Sequence, residues 1–140
     1  MARLRHIALV VKDLERSADF YCKAFEMTRS ELQDGPTARR IYLSDGEVNL
    51  ALLQYKSEVG SGLKDPGSFV GAHHFGFQVD DLEKSRAAIE AAGGVYFFDL
   101  GREGDEGFER KFKDPDGIIF DINTDGWALT SGKKQPKPKT

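Results

Sequence analysis

The segment HIALVVKDLERS, His6–Ser17, returns 68 residues later without a gap as HFGFQVDDLEKS, His74–Ser85. His6/His74, Val11/Val79, Asp13/Asp81, Leu14/Leu82, Glu15/Glu83 and Ser17/Ser85 are identical pairs. A fixed internal period marks one supersecondary unit that was duplicated and packs against its copy. It also sets two of the chain's three histidines at one place in two copies.

Each copy opens with a strand. In HIALVV, His6, Ala8 and Val10 share one face and Ile7, Leu9 and Val11 the other; in HFGFQV the corresponding sets are His74, Gly76, Gln78 and Phe75, Phe77, Val79. Side chains alternate across a strand, so the bulky apolar set should meet a helix and leave the histidine face free. Asp13 and Asp81 are natural N-caps for the helices that follow. Leu14, Ala18, Tyr21 and Phe25 recur at helical spacing, as do Leu82, Ser85, Ile89 and Ala92. The first helix should stop near Met27, and Gly93-Gly94 should end the second.

Strands are expected next at about Arg29–Leu32, Arg39–Leu43 and Glu47–Leu53, then at Val95–Leu100, Glu109–Lys113 and Ile118–Ile122. The breaks between them carry Asp-Gly-Pro, Ser-Asp-Gly and Asp-Pro-Asp-Gly, whose residues favour turns. The chain therefore reads as α+β: two tandem βαβββ modules forming a cupped mixed sheet with helices outside. One domain should cover 1–132, with module 1 at about 4–54, a connection at 55–72 and module 2 at about 73–125. Residues 133–140, rich in Lys and Pro, read as a disordered basic tail.

A net charge of -3 gives no reason to expect nucleic acid as a partner. No apolar run approaches the ~20 residues that cross a bilayer, so no membrane association is expected. Cys22 stands alone, which suits a reducing cytoplasm.

The face that each helix leaves free carries the chemistry. The first strands give it His6 and His74. The last strand gives it Asp121, because Phe120 and Ile122 are the apolar alternates. By the same alternation Glu47 and Asn49 share that face in the first module, and Gln78 and Asn123 join it in the second. Two imidazoles and one carboxylate with open positions suit Fe(II), and close variants bind Zn, Mn, Co or Ni. His73, next in sequence to His74, points to the other face and reads as structural or surface. Tyr42, Phe97, Phe98, Phe108 and Trp127 lie near the cup, where some can touch a substrate. Arg39, Arg40 and Arg110 read mainly as strand-edge residues, one of which can clamp an acidic substrate.

The chain resembles the vicinal oxygen chelate superfamily, which includes glyoxalase I, methylmalonyl-CoA epimerase, bleomycin- and fosfomycin-resistance proteins and extradiol dioxygenases. The resemblance rests on His6–Val11, Asp13–Ser17 with Phe20-Tyr21, His74–Phe77 with Val79–Asp81, and Asp114–Gly117 leading to Phe120–Ile122. It covers about residues 4 to 125. It implies a cupped sheet around a divalent metal (Fe, Mn, Zn, Ni or Co), a small-molecule substrate and a homodimer. The implied ligands are His6, His74, Asp121 (where Glu is usual) and a fourth on strand 47–53, Asn49, with Glu47 as fallback. The implied activity is a lyase or isomerase working through an enolate, with Glu47 or Asp121 as base and Gln78, Tyr42 and Arg40 against the substrate. The alternatives are an extradiol-type dioxygenase using the two histidines and the carboxylate for Fe(II), and a ligand-sequestering protein of the bleomycin-resistance kind.

Overall fold

The computed structural model describes residues 1–135, so the part of the expected tail from 136 on lies outside the described residues. Residues 133 and 134 within that tail are tied back, the Lys134 amide donating to the Asp125 carbonyl at 2.8 Å.

Module 1 comprises β1 (Arg3–Val10), α1 (Leu14–Phe25), β2 (Thr28–Arg29), β3 (Gln33–Asp34), β4 (Ala38–Ser44) and β5 (Asn49–Tyr55). Module 2 comprises β6 (Gly71–Gln78), α2 (Leu82–Ala91), β7 (Val95–Leu100), β8 (Glu109–Lys113) and β9 (Ile119–Asn123). The strand expected at Arg29–Leu32 is instead two short pieces, β2 and β3, each paired with β4. Between them the Ser30 hydroxyl takes the Tyr42 amide, and the Ser30 amide donates to the Tyr42 carbonyl.

All strands join one sheet in the order β2-β4-β5-β1-β6-β9-β8-β7, with β3 also on β4. The two copies meet where β1 runs antiparallel to β6; each first strand runs parallel to the last strand of its own module. The sheet is therefore pseudo-symmetric about the β1–β6 seam.

Both helices are capped as the sequence indicates: Asp13 accepts from the Arg16 amide and Asp81 from the Lys84 amide. The first helix ends at Phe25, with Glu26 in a left-handed conformation. Leu14 and Ala18 of α1 pack on Ile41, Leu43 and Leu52, all buried. On the other side Val79, Phe112 and Ile122 form the buried core, with Leu82 and Ile89 of α2 against it. Burying such side chains stabilises by ~1.5–3 kcal/mol each, and it pins the register of β4, β5, β8 and β9. Each strand's other alternates are thereby turned to the cup.

A candidate metal centre in the cup

His6 and His74 come from the seam strands and Asp121 from β9, and all three are buried. Their donor atoms converge. His6 Nε2 and His74 Nε2 are 3.2 Å apart, and Asp121 Oδ2 lies 3.5 Å from the first and 3.2 Å from the second. Ligands about 2.1 Å from one ion stand ~3.0 Å apart in octahedral and ~3.4 Å apart in tetrahedral geometry, so this triangle has the right size.

The hydrogen bonds around the triangle decide what it accepts. The Asn49 amide N–H donates to the Ala128 carbonyl at 3.1 Å, which turns its carbonyl oxygen to His6 Nδ1 at 2.8 Å. His6 therefore carries a proton on Nδ1, the tautomer whose Nε2 presents a lone pair. On the other side His73 Nε2 donates to the Ser61 carbonyl at 2.8 Å. Its Nδ1 is then an acceptor, 2.7 Å from His74 Nδ1, which must be the donor. Burial, helped by the Lys111 charge, pushes the His74 pKa well below its usual range. Its Nε2 is a lone pair too. Asp121 Oδ2, fully buried, has no hydrogen-bond partner. Three acceptors thus face one point with no donor among them, a costly arrangement in a buried site unless a cation joins it.

The remaining expectations divide. Asn49 is buried beside the triangle but holds the far nitrogen of His6, so it orients a ligand. In register His6 pairs with Asn49 while His74 pairs with Ile119, so the first-module counterpart of Asp121 is Ala51. Glu47 is outside the cup. The Asp45 carboxylate takes the amides of Glu47 and Val48, so the strand starts only at Asn49 and Glu47 escapes the alternation. Its mostly exposed carboxylate pairs with Arg5 at 2.8 Å. Gln78 is also outside, donating to the Gly132 and Thr124 carbonyls beneath the C-terminal segment. Tyr42 and Arg40 do line the cup.

Sequence reasoning passed over Glu109 and Lys111. Both are buried and line the cup from β8, because Phe112, their alternate, is core. That alternation was readable, as it was for Asp121. Lys111 Nζ donates to Asp121 Oδ1 at 2.7 Å. Burial works against the Lys111 charge, yet attraction from Asp121 and Glu109 outweighs it and holds the ammonium above the ordinary lysine range. Burial, with repulsion from Asp121, raises the Glu109 carboxyl. Trp127 stacks on His6, ring centroids 4.8 Å apart at 2°, and donates its indole N–H to Glu109 at 2.8 Å. His73 is neither idle nor on the surface, since it sets the tautomer of His74. The cavity lined by His6, His74, Tyr42, Arg40, Glu109 and Lys111 is about 30 Å³, against at least ~10–15 Å³ for a single water.

The glyoxalase/bleomycin resistance protein/dioxygenase superfamily model matches residues 3–122. The chain belongs to that superfamily. A protein of Brassica oleracea var. gemmifera, provisionally named a lactoylglutathione lyase, is 29% identical over 124 residues, which are 86% of this chain. The chain spans only 43% of that relative's length. Among solved structures, the hypothetical protein BH1468 of Bacillus halodurans C-125 is similar with a TM-score of 0.70, at 17% identity over 99% of both chains. A methylmalonyl-CoA epimerase of Streptomyces coelicolor, bound to 2-nitronate-propionyl-CoA, is similar with a TM-score of 0.69, at 21% identity over 87% of this chain and 96% of that one. These identities establish the shared fold of the superfamily. Among the described residues no helix is long and apolar enough to cross a membrane.

Proposed function

We propose that the chain is a divalent-metal-dependent lyase or isomerase of the glyoxalase/epimerase kind, acting on a small substrate with two adjacent oxygens. The observation that carries this reading is the convergence of three buried acceptors, His6 Nε2, His74 Nε2 and Asp121 Oδ2, without a donor. These three would hold the ion, of Fe, Mn, Zn, Ni or Co character. When bound, it supplies Lewis acidity to the substrate oxygens, which makes an adjacent C–H acidic.

The protein residues do the rest. Asn49 and His73 keep the two rings turned with Nε2 inward. Glu109, steadied by Trp127 at the edge of the cavity, is the carboxyl group placed to take a proton and return it. It replaces Glu47 in that role, and Asp121 keeps the ligand role alone. The narrow cavity keeps bulk water from competing. A homodimer in a reducing cytoplasm remains part of this reading, supported by the family resemblance and by the single Cys22.

The test is metal content followed by proton exchange. Protein purified without chelator should hold close to one equivalent of a transition metal. It should also wash deuterium from D2O into the carbon beside the carbonyl of a small α-oxo or α-hydroxy carbonyl compound. Less than ~0.1 equivalent of metal would sink the reading. Full metal with ligand binding but no exchange would favour the ligand-sequestering alternative.

A further inference from the structure

The cavity has a second wall, of opposite character to the metal corner. Lys111 Nζ carries three N–H donors, and among the described residues it makes one hydrogen bond, to Asp121 Oδ1. The ammonium is buried and lines the cavity, so its other donors have only the cavity to serve. Tyr42 lines the same cavity from the other module. In register Tyr42 faces Ala51 on β5 as Lys111 faces Asp121 on β9, so the two side chains are pseudo-symmetric mates pointing inward. The Tyr55 hydroxyl reaches only long contacts of 3.4 and 3.5 Å to His73 and His74. Arg40 adds a guanidinium to the lining, with its Nε held by Gln33. The one carboxyl group on this wall, Glu109, has Oε2 engaged by Trp127.

Asp121 joins the two halves of the cup: Oδ2 faces the imidazoles and Oδ1 takes Lys111. A ligand seated on the metal corner is therefore also within reach of an ammonium and two phenol hydroxyls. A neutral vicinal dioxygen compound would satisfy the corner and leave the remaining Lys111 donors without a partner, which is costly in a buried site. The narrow cavity further disfavours a bulky head.

Resting on the metal-dependent reading above, we infer that the substrate is a small α-oxo or α-hydroxy carboxylate, chelated at the His6/His74/Asp121 corner with its charge met by Lys111 and Tyr42.

Pyruvate and butane-2,3-dione are near-isosteres that differ in this charge. The protein is loaded with cobalt(II), whose visible d–d bands report chelation, and each compound is titrated in. Pyruvate should bind at least ~10-fold tighter than the dione. Tyr42→Phe, which leaves the Lys111–Asp121 pair alone, should cost pyruvate ~3–10-fold and the dione nothing. Lys111→Met should shrink the preference with cobalt still bound. Equal affinities in the parent protein, or a preference that survives Tyr42→Phe undiminished, would overturn the inference while leaving the metal reading intact. Failure to take up cobalt would overturn both.

Discussion

Ala51 occupies in the first module the place that Asp121 occupies in the second. Each lies two residues beyond the partner of its own module's histidine, Asn49 for His6 and Ile119 for His74. Ala51 is buried against Ala8, so the fourth corner of a symmetric ligand set is filled by a methyl group. Ala51→Asp restores the carboxylate. In the metal-free protein it should cost ~3 kcal/mol or more, since the new charge is buried without a partner. Zinc should then raise the melting temperature more than it does in the parent protein. An equal zinc-induced shift in both would show that position 51 does not reach the ion.

Gly76 faces His6 across the seam, and a Cβ there would stand 2.8 Å from the Trp127 ring and 3.2 Å from His6. Gly76→Ala must therefore displace the stacked pair. Urea unfolding should show a loss of ~1–3 kcal/mol, with zinc affinity falling ~10-fold or more as His6 turns. Unchanged affinity in a folded Gly76→Ala protein would mean that the Trp127–His6 stack does not set the ligand.

Glu109 is buried, and its pKa is raised by burial and by Asp121. Its charged form is the disfavoured one, so stability is lost as the pH rises from the unfolded value of ~4.5 through the folded one. Glu109→Gln keeps an acceptor for Trp127 and removes that charge. It should stabilise the metal-free protein at pH 8 while lowering deuterium exchange ~100-fold or more. Exchange at the parent rate with normal metal content would remove Glu109 from the proton transfer.

His74 titrates with the opposite consequence. Its folded pKa lies well below 6.5, so the folded state resists a proton that the unfolded chain accepts. This contribution is complete above pH ~6.5 and is lost as the pH falls below it, at up to about 1.4 kcal/mol per pH unit. Chelator-treated protein should melt lower at pH 5.5 than at pH 7.5, and His74→Leu should shrink that difference. A pH dependence identical in the two proteins would contradict the buried neutral state of His74.

Much of this molecule was legible in the order of its residues. The 68-residue repeat predicts two like modules, and the capping aspartates and apolar spacings place both helices. Alternation along three strands brings His6, His74 and Asp121 to one face, and the structure joins them there. These features are local, with periods of two or 3.6 residues that any segment displays by itself.

What only the tertiary structure decided depends on how distant strands register and on where turns let a strand begin. The Asp45 turn delays β5 and sends Glu47 to the surface. The β1–β5 and β6–β9 pairings make Ala51, not Asn49, the mate of Asp121. Trp127 returns from beyond the last strand to cover His6, and Glu109 and Lys111 charge a cup that the sequence marks only as the less apolar side. Register is a sum of contacts between residues far apart in the chain, so the sequence determined which groups share a face, and only packing determined which of them meet.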